Sequence, residues 1–448
     1  MPYRDHSAGE CAGAWERGRR RTARRVLIIS ASVGAGHDGA ADELSRRLEA
    51  DGFRVDRVDF LDLLPARLGR LLSGSYRRLL ACAPSGYQRL YAATEHNKRP
   101  GGAIRALLRS AERRTLRAVS ADTCAVVSTY PGASQVLGAL RLRGRLSVPV
   151  VTYLTDFSVH ALWVARGVDA HLAVHPIPAG QARALGAAGV TVGGPVAARR
   201  FTPATEEGRR AARARFGLPA EVPLALLVAG SWGVGPVEQV VGEIAASGAA
   251  VPVVVCGHNE ALADRLRAAG VAHVFGWVAD MPGLMSAADV LVQNAGGLSS
   301  LEAFAAGLPV ASYRCIPGHG QTNASALDAA GLAVWIKDAD RLEPVLTELL
   351  DGRLGRRQRE RGLALFGSAH GPVQAIAEVA DRAATGRVRR RGPVRRRGLR
   401  LGRRSVAAMA AAVATTVTLG IGAPLAEAYR DSPTRFAALT HFLEEDRI

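Results

Sequence analysis

The stretch from Asp289 to Asn323 most constrains the fold, because a strand, a glycine turn, a helix, a second strand and a polar loop follow one another there. The apolar run 289–293 is typical of a fully buried strand. Small residues at 294–297 break the run, and residues 299–307 continue at helical spacing. This order predicts one unit of a parallel α/β sheet.

The same stretch predicts a site for a phosphorylated ligand. Gly296 and Gly297 let the backbone approach a ligand closely, and the unpaired N–H groups at a helix start attract a diphosphate. Ser299 and Ser300 are the predicted caps of this helix. Glu302, which we expect in its first turn, has a carboxylate that can accept two ribose hydroxyls. An ordinary α/β turn is the alternative interpretation.

These residues also carry a resemblance to a known family. Asn294 with its following glycines, Glu302, and the loop containing Pro317, Gln321 and Asn323 resemble the donor-binding half of inverting GT-B glycosyltransferases. Similar enzymes include monogalactosyldiacylglycerol synthase, the processive diacylglycerol glucosyltransferases and the N-acetylglucosaminyltransferase that completes lipid II. The resemblance implies a UDP-sugar site formed by Gly230, Ser231, Trp277, Val278, Asn294, Gly296, Gly297, Leu298, Ser299, Glu302, Gln321 and Asn323.

The resemblance implies distinct roles within this set. Trp277 and Val278 fall where the family holds uracil by backbone contacts, and the loop beginning at Gly230 faces the diphosphate. Gln321 and Asn323 would select the sugar. The spacing of the last two is closer to the lipid II enzyme than to the diacylglycerol enzymes, so the identity of the sugar stays open.

The first half of the chain places a histidine after another strand and glycine turn. Residues 25–31 predict a strand, and residues 32–37 predict a turn that opens a helix running through Leu48. The positive end of the helix dipole favours a neutral imidazole at His37, which can accept a proton. An inverting transfer needs such a base, because the acceptor hydroxyl loses its proton as it attacks.

Asp156 is the second candidate for the base. It ends the predicted strand 148–156, and open α/β sheets place ligands at the carboxyl ends of their strands. It could equally orient His37 or bind the acceptor. The resemblance covers roughly residues 25–381 and implies acceptor contacts from Gly36, Tyr76, Tyr130 and His160.

A segment between the second and third strands mixes leucine, tyrosine and arginine. Residues 63–91 predict a helical insert whose apolar face could enter a bilayer interface while Arg67, Arg70, Arg77 and Arg78 hold lipid phosphates. Packing of the same face on its own domain is the alternative. A lipid acceptor would require such an entrance.

Short apolar runs alternate with helical patterns in both halves, which predicts an α/β fold with two doubly wound, Rossmann-like domains facing one cleft. The resemblance identifies this arrangement as GT-B. The predicted segments are a mobile basic leader (1–24), an acceptor-binding domain (25–201), a linker (202–222), a UDP-sugar-binding domain (223–385) and an Arg-rich tail (386–448) with an apolar helix (405–426).

The net charge of +18 comes mostly from arginine, part of it concentrated in Arg17–Arg25 and Arg387–Arg404. Aromatic residues make up only 5% of the chain, which argues against stacking on nucleic acid bases. Basic termini favour an anionic membrane surface as a partner. Solvated tails in an arginine-rich chain are the alternative.

The residues after the basic tail carry no charge from Ser405 to Ala426. About 20 apolar residues span a bilayer core, but this segment is rich in alanine, threonine and glycine, so a span and a surface-lying helix both remain open. No signal peptide precedes Arg17, and the five cysteines are scattered. We therefore expect the protein at the cytoplasmic face of the cell membrane.

The only string typical of metal-dependent glycosyltransferases is Asp338-Ala-Asp340. It opens a helix far from the glycine loops, so we interpret it as a helix cap and expect neither a metal ion nor another cofactor. The predicted function is an inverting, metal-independent transfer of a hexose from a UDP-sugar to a membrane lipid, foremost diacylglycerol. The alternatives are a polyprenyl-linked acceptor and a non-catalytic UDP-sugar-binding protein.

Overall fold

Twelve strands and fourteen α-helices form the described part of the chain in a computed structural model. The structure describes residues 24–65, 68–69, 74, 91, 102–367 and 371–384. The strands are β1 (Arg25–Ser30), β2 (Arg54–Asp59), β3 (Thr123–Ser128), β4 (Val150–Tyr153), β5 (Ala170–Ala173), β6 (Val190–Val192), β7 (Leu224–Val228), β8 (Val251–Val255), β9 (His273–Phe275), β10 (Val290–Gln293), β11 (Val310–Tyr313) and β12 (Val334–Ile336).

The helices fill the connections between these strands. They are α1 (Ala35–Ala50), α2 (Phe60–Leu63), α3 (Gly102–Ala118), α4 (Pro131–Leu142), α5 (Pro176–Ala184), α6 (Glu206–Phe216), α7 (Val237–Ser247), α8 (Glu260–Ala268), α9 (Met281–Ala287), α10 (Leu298–Ala305), α11 (His319–Ala329), α12 (Leu342–Leu350), α13 (Arg353–Ala364) and α14 (Pro372–Ala384), with short 3-10 helices at Ala161–Trp163 and Ala339–Arg341.

The strands form two sheets of six, in the orders β2-β1-β3-β4-β5-β6 and β12-β11-β10-β7-β8-β9. All paired strands run parallel. Parallel sheets are covered by helices on both faces, so their central strands are apolar throughout. Val26, Leu27 and Ile28 of β1 are accordingly fully buried. The predicted pair of doubly wound domains is confirmed.

The stretch predicted as a linker contains a helix. Helix α6 begins after Thr205, whose side chain accepts a hydrogen bond from the backbone N–H of Gly208, and it packs on α9 of the second domain. Arg213 of α6 is buried and pairs with Asp289 at 2.6 Å. The connection between the two sheets is therefore a helix fixed to the second domain.

The last described helix returns to the first domain. Helix α14 packs against α1, β3 and β5, although it follows the whole second sheet in sequence. Asp381 in α14 forms an ion pair with Arg24 at 2.6 Å. The chain thus crosses between the domains twice.

Several predicted features lie outside the described residues: Tyr76, the basic leader before Arg24, most of the insert after Leu63, and the tail 386–448 with its apolar segment. Within the part of the chain that the structure describes, no helix has the length and apolar character needed to cross a membrane.

Candidate active site

The two domains meet where the N-terminal ends of α1 and α10 lie against each other. Gly36 and Gly39 of α1 face Leu298, the first residue of α10. A β-carbon at position 39 would displace the Leu298 Cδ2 atom, so the two helix starts pack closely at this point. Both helix starts, with the loops around them, therefore line one cleft.

His37 lies in the first turn of α1 and is held by residues of the first domain. Its Nδ1 atom shares a hydrogen bond of 3.2 Å with the Thr155 hydroxyl, and the Thr129 hydroxyl donates to the His37 carbonyl. The imidazole lies edge-on to the Tyr130 ring, with the ring centroids 5.4 Å apart. No described residue forms a hydrogen bond with the Nε2 atom of His37.

Asp156 lies beside His37 without a hydrogen bond between the two side chains in the described structure. The Trp163 indole N–H donates to the Asp156 carboxylate at 3.2 Å, and the same indole contacts the His37 ring at 5.8 Å between centroids. Thr155, rather than Asp156, therefore orients the imidazole. Thr155 was absent from the predicted site residues, although a polar residue at the carboxyl end of an apolar run was the available signal.

A second histidine belongs to this cluster and was missing from the predicted set. His319 is the first residue of α11. Burial lowers the pKa of its imidazole, the Asp156 carboxylate opposes this shift, and the His37 imidazole adds to it. The three side chains are thus electrostatically linked across the cleft, with His319 contributed by the donor-side loop.

The predicted glycine turn after β10 is shaped by its own strand. The Gln293 side chain accepts hydrogen bonds from the backbone N–H groups of Ala295 and Gly296, and it donates to the Ser312 hydroxyl at 2.6 Å. Gly296 has a φ of +72°, a conformation that favours glycine. The turn places the start of α10 at the cleft.

The start of α10 differs from the prediction in two respects. Its N-cap is Gly297, so Ser299 and Ser300 lie inside the helix and the prediction that they cap it is wrong. No side chain of the described residues caps the helix, which leaves its first N–H groups to a ligand. Glu302 is the fifth residue of α10 and therefore lies in the second turn, not the first.

The Glu302 carboxylate is an unusual group for a helix interior. Burial raises its pKa to about 8, and the Arg200 guanidinium opposes this shift. No described residue donates a hydrogen bond to it. Burial holds this carboxyl in its neutral form, and hydroxyl donors from a ligand would favour the ionised form. The ribose contact of Glu302 stays a prediction.

The two predicted asparagines have structural partners. Asn294 is buried and donates to the Val234 carbonyl at 2.8 Å, which ties the β10 turn to the loop after β7. Asn323 contacts Ser158 of the first domain and the Ala295 carbonyl. Their predicted roles in donor binding stay predictions.

The other predicted donor residues lie on the second domain. Gly230 is exposed and has a φ of +71°, and the Ser231 carbonyl accepts a hydrogen bond from the His258 N–H. The Trp277 ring is 55% exposed and stacks on the His258 imidazole at 4.2 Å. Val278 follows it, partly buried.

The predicted acceptor residue His160 lies at the first-domain side of the cleft. Its Nδ1 atom caps the short helix at Ala161–Trp163, and its ring contacts the Tyr91 ring at 4.9 Å. Tyr91 also packs against Gly318 of the donor-side loop. Gln321, the third residue of α11, is partly buried.

The Asp338-Ala-Asp340 string lies at a short 3-10 helix. Asp338 occupies the N-cap position, but its side chain makes no capping hydrogen bond, so the predicted capping contact is wrong. Both carboxylates are exposed. Among the residues that the structure describes, no cluster of three or more histidine, cysteine, aspartate or glutamate side chains could hold a metal ion.

Comparison with known proteins agrees with this architecture. Residues 239–362 match the family model of glycosyl transferases group 1. The processive diacylglycerol beta-glucosyltransferase of Bacillus mycoides (strain KBAB4) is 26% identical over 344 residues, which cover 70% of this chain and 82% of that protein. The enzyme of the same name from Bacillus cereus (strain AH187) is 27% identical over 337 residues, with the same coverage.

A solved structure with a similar fold is that of TcCGT1 in complex with UDP. It superposes with a TM-score of 0.51 and 15% sequence identity, covering 81% of this chain and 99% of that one. The resemblance and the GT-B fold inferred from the sequence are both confirmed. The chain is therefore similar to glycosyl transferases group 1 over residues 239–362 and is a glycosyltransferase with the GT-B fold.

Proposed function

We propose that this enzyme transfers a hexose from a UDP-sugar to diacylglycerol, with inversion and without a metal ion, at the cytoplasmic face of the membrane. The observation that carries the proposal is the position of His37, which is oriented by Thr155 and lies across the cleft from the open N-terminus of α10. Two Bacillus relatives named processive diacylglycerol beta-glucosyltransferases support the acceptor.

The chemistry follows from this arrangement. The acceptor hydroxyl gives its proton to the Nε2 atom of His37 while its oxygen attacks the anomeric carbon of the sugar. The bond from that carbon to the UDP oxygen breaks on the opposite face, which inverts the configuration. The unpaired N–H groups of α10 stabilise the negative charge that develops on the departing diphosphate.

A polyprenyl-linked acceptor is the second candidate. The loop from Pro317 to Asn323 reads Pro-Gly-His-Gly-Gln-Thr-Asn, which differs from the Pro-Gly-Gln-Glu string of diacylglycerol enzymes. Release of UDP by the purified full chain, measured with a panel of UDP-sugars and each acceptor in detergent, separates the two. We expect turnover with diacylglycerol in the presence of EDTA. Turnover with the polyprenyl acceptor alone would replace the proposal by the second candidate.

Helix α3 supports the contact with an anionic membrane surface. Arg105, Arg109, Arg113 and Arg117 recur every four residues, and all are exposed. They span about 18 Å along one side of the helix. No described residue forms an ion pair with any of them. The opposite side of α3 packs on the core of the first domain through Ala111.

We expect that replacing Arg105, Arg109 and Arg113 by glutamine weakens binding to phosphatidylglycerol vesicles. Each arginine near an anionic surface contributes about 1 kcal/mol, so the triple variant is expected to lose roughly a hundredfold in partition coefficient at low salt. Sedimentation with vesicles measures this loss. The matched control replaces three exposed arginines of α13 at the same spacing: Arg353, Arg357 and Arg361. Equal losses in both variants would contradict a specific role of α3.

A further inference from the structure

Asn323 joins three loops of the two domains. It is 1% exposed, and its Oδ1 atom accepts hydrogen bonds from the Ser158 backbone N–H at 2.8 Å and from the Ser158 hydroxyl at 3.0 Å. Its Nδ2 atom donates to the Ala295 carbonyl in the glycine turn at 3.0 Å. One amide therefore connects the loop after β4, the turn after β10 and the start of α11.

The neighbouring side chain extends this connection. The Thr322 hydroxyl lies 2.8 Å from the Ser158 hydroxyl and 3.2 Å from the hydroxyl of Tyr91. We call Ser158, Thr322 and Asn323 the interdomain clasp. Ser158 belongs to the first domain and the other two belong to the second, so the clasp spans the cleft beside the proposed reaction centre.

The clasp acts on the loop whose Thr155 orients the proposed base. Thr155, which orients His37, and Asp156 precede Ser158 by three and two residues. His319 lies four residues before Asn323, one helical turn away in α11. A shift of Asn323 therefore changes the position of His319 relative to Thr155.

We infer that Asn323 is a positioning residue, which sets the loop carrying Thr155 and Asp156 against the donor site, and that its Oδ1 atom does not select the sugar. Both lone pairs of its Oδ1 atom are already taken by Ser158, so the oxygen is not available to a sugar hydroxyl. Catalysis depends on alignment, and misplacement of reacting groups by about 1 Å can cost a hundredfold in rate.

The test compares Asn323→Ala, Ser158→Ala and the double variant in the full chain. UDP release is measured with whichever acceptor the wild type uses, or with water if no lipid is turned over. For Asn323→Ala we expect kcat to fall roughly tenfold while KM for the UDP-sugar stays within about threefold. Ser158→Ala keeps the backbone N–H bond to Asn323, so we expect a loss of only about twofold to threefold.

The double variant distinguishes a clasp from two independent contacts. We expect it to equal Asn323→Ala, because residues in one hydrogen-bond network are not additive. Asn323→Asp retains the bonds from Ser158 but places an acceptor oxygen against the Ala295 carbonyl, so we expect its kcat to be no higher than that of Asn323→Ala. Ser158→Ala, measured for the same split between kcat and KM, tests the inference if neither Asn323 variant folds. A raised KM, an altered order of preferred UDP-sugars, or additive losses would overturn the inference.

The inference rests on the proposed function only because it takes His37 as the base. Failure of the inference and failure of the proposed function give different experimental results. A wild-type enzyme that glycosylates no diacylglycerol contradicts the proposed acceptor but leaves the clasp measurable on the acceptor that it does use. A fully active Asn323→Ala variant contradicts the clasp and leaves the acceptor unaffected.

Discussion

Replacing His37 by alanine is expected to lower kcat by about a hundredfold to ten-thousandfold, because a positioned general base contributes that much to proton transfer. The Thr155 hydroxyl engages Nδ1, so Nε2 is the atom that would receive the proton. The affinity for UDP is expected to stay near the wild-type value, since His37 belongs to the first domain. Stopped assays of UDP release and calorimetric titration with UDP measure the two quantities.

Two further variants identify the base. Thr155→Val keeps the imidazole and removes only its orienting bond, so we expect a loss of about tenfold. Imidazole added to the His37→Ala enzyme is expected to restore part of the rate. An Asp156→Asn variant that loses more activity than His37→Ala, together with no rescue by imidazole, would assign the base to Asp156 instead.

Replacing Glu302 by alanine is expected to weaken UDP binding about a hundredfold, since two hydrogen bonds to a carboxylate are together worth about 3 kcal/mol. In the free protein burial raises the pKa of this carboxyl to about 8. Hydroxyl donors favour the ionised form, so binding of UDP lowers the pKa and releases a proton near pH 7. Titration calorimetry in HEPES and in Tris measures that proton, and the Glu302→Gln variant is expected to release none.

The same carboxyl gives a stability prediction for the ligand-free protein. In the folded protein the pKa of this carboxyl is raised above the ordinary value of 4.5. The protonated carboxyl therefore contributes to the free energy of unfolding below pH 4.5, and this contribution is lost as the pH rises to about 8. Glu302→Gln is therefore expected to raise Tm at pH 9 and to leave it unchanged at pH 4.5. Thermal melts at both values test this. A variant that is less stable than the wild type at pH 9 would contradict a desolvated, unpaired carboxylate.

The two sheets were predictable because their central strands are apolar on both faces. Runs such as Val26–Ile29 and Val290–Val292 are buried throughout, and the turns after them contain glycine where φ is positive. The alternation of such runs with helical patterns is enough to indicate two doubly wound domains. The position of His37 followed from the same local signal, a strand and a glycine turn before a helix.

The contacts across the cleft were not predictable in this way. Ser158 and Asn323 are 165 residues apart in sequence, and no local pattern indicates that they bond. The same holds for His319, which becomes part of the His37 cluster only when the domains face each other. The cap of α10 was assigned to serines because they are good N-caps, but the tight turn fixed by Gln293 places Gly297 there instead.

The most direct test of the account is the structure of the lipid product. The full chain is incubated with diacylglycerol and each UDP-sugar in the presence of EDTA, and the extracted lipids are analysed by mass spectrometry and by NMR of the anomeric proton. The account predicts a hexosyl-diacylglycerol whose anomeric configuration is opposite to that of the donor. A product with retained configuration, or no glycolipid from any UDP-sugar that the protein binds, would contradict it.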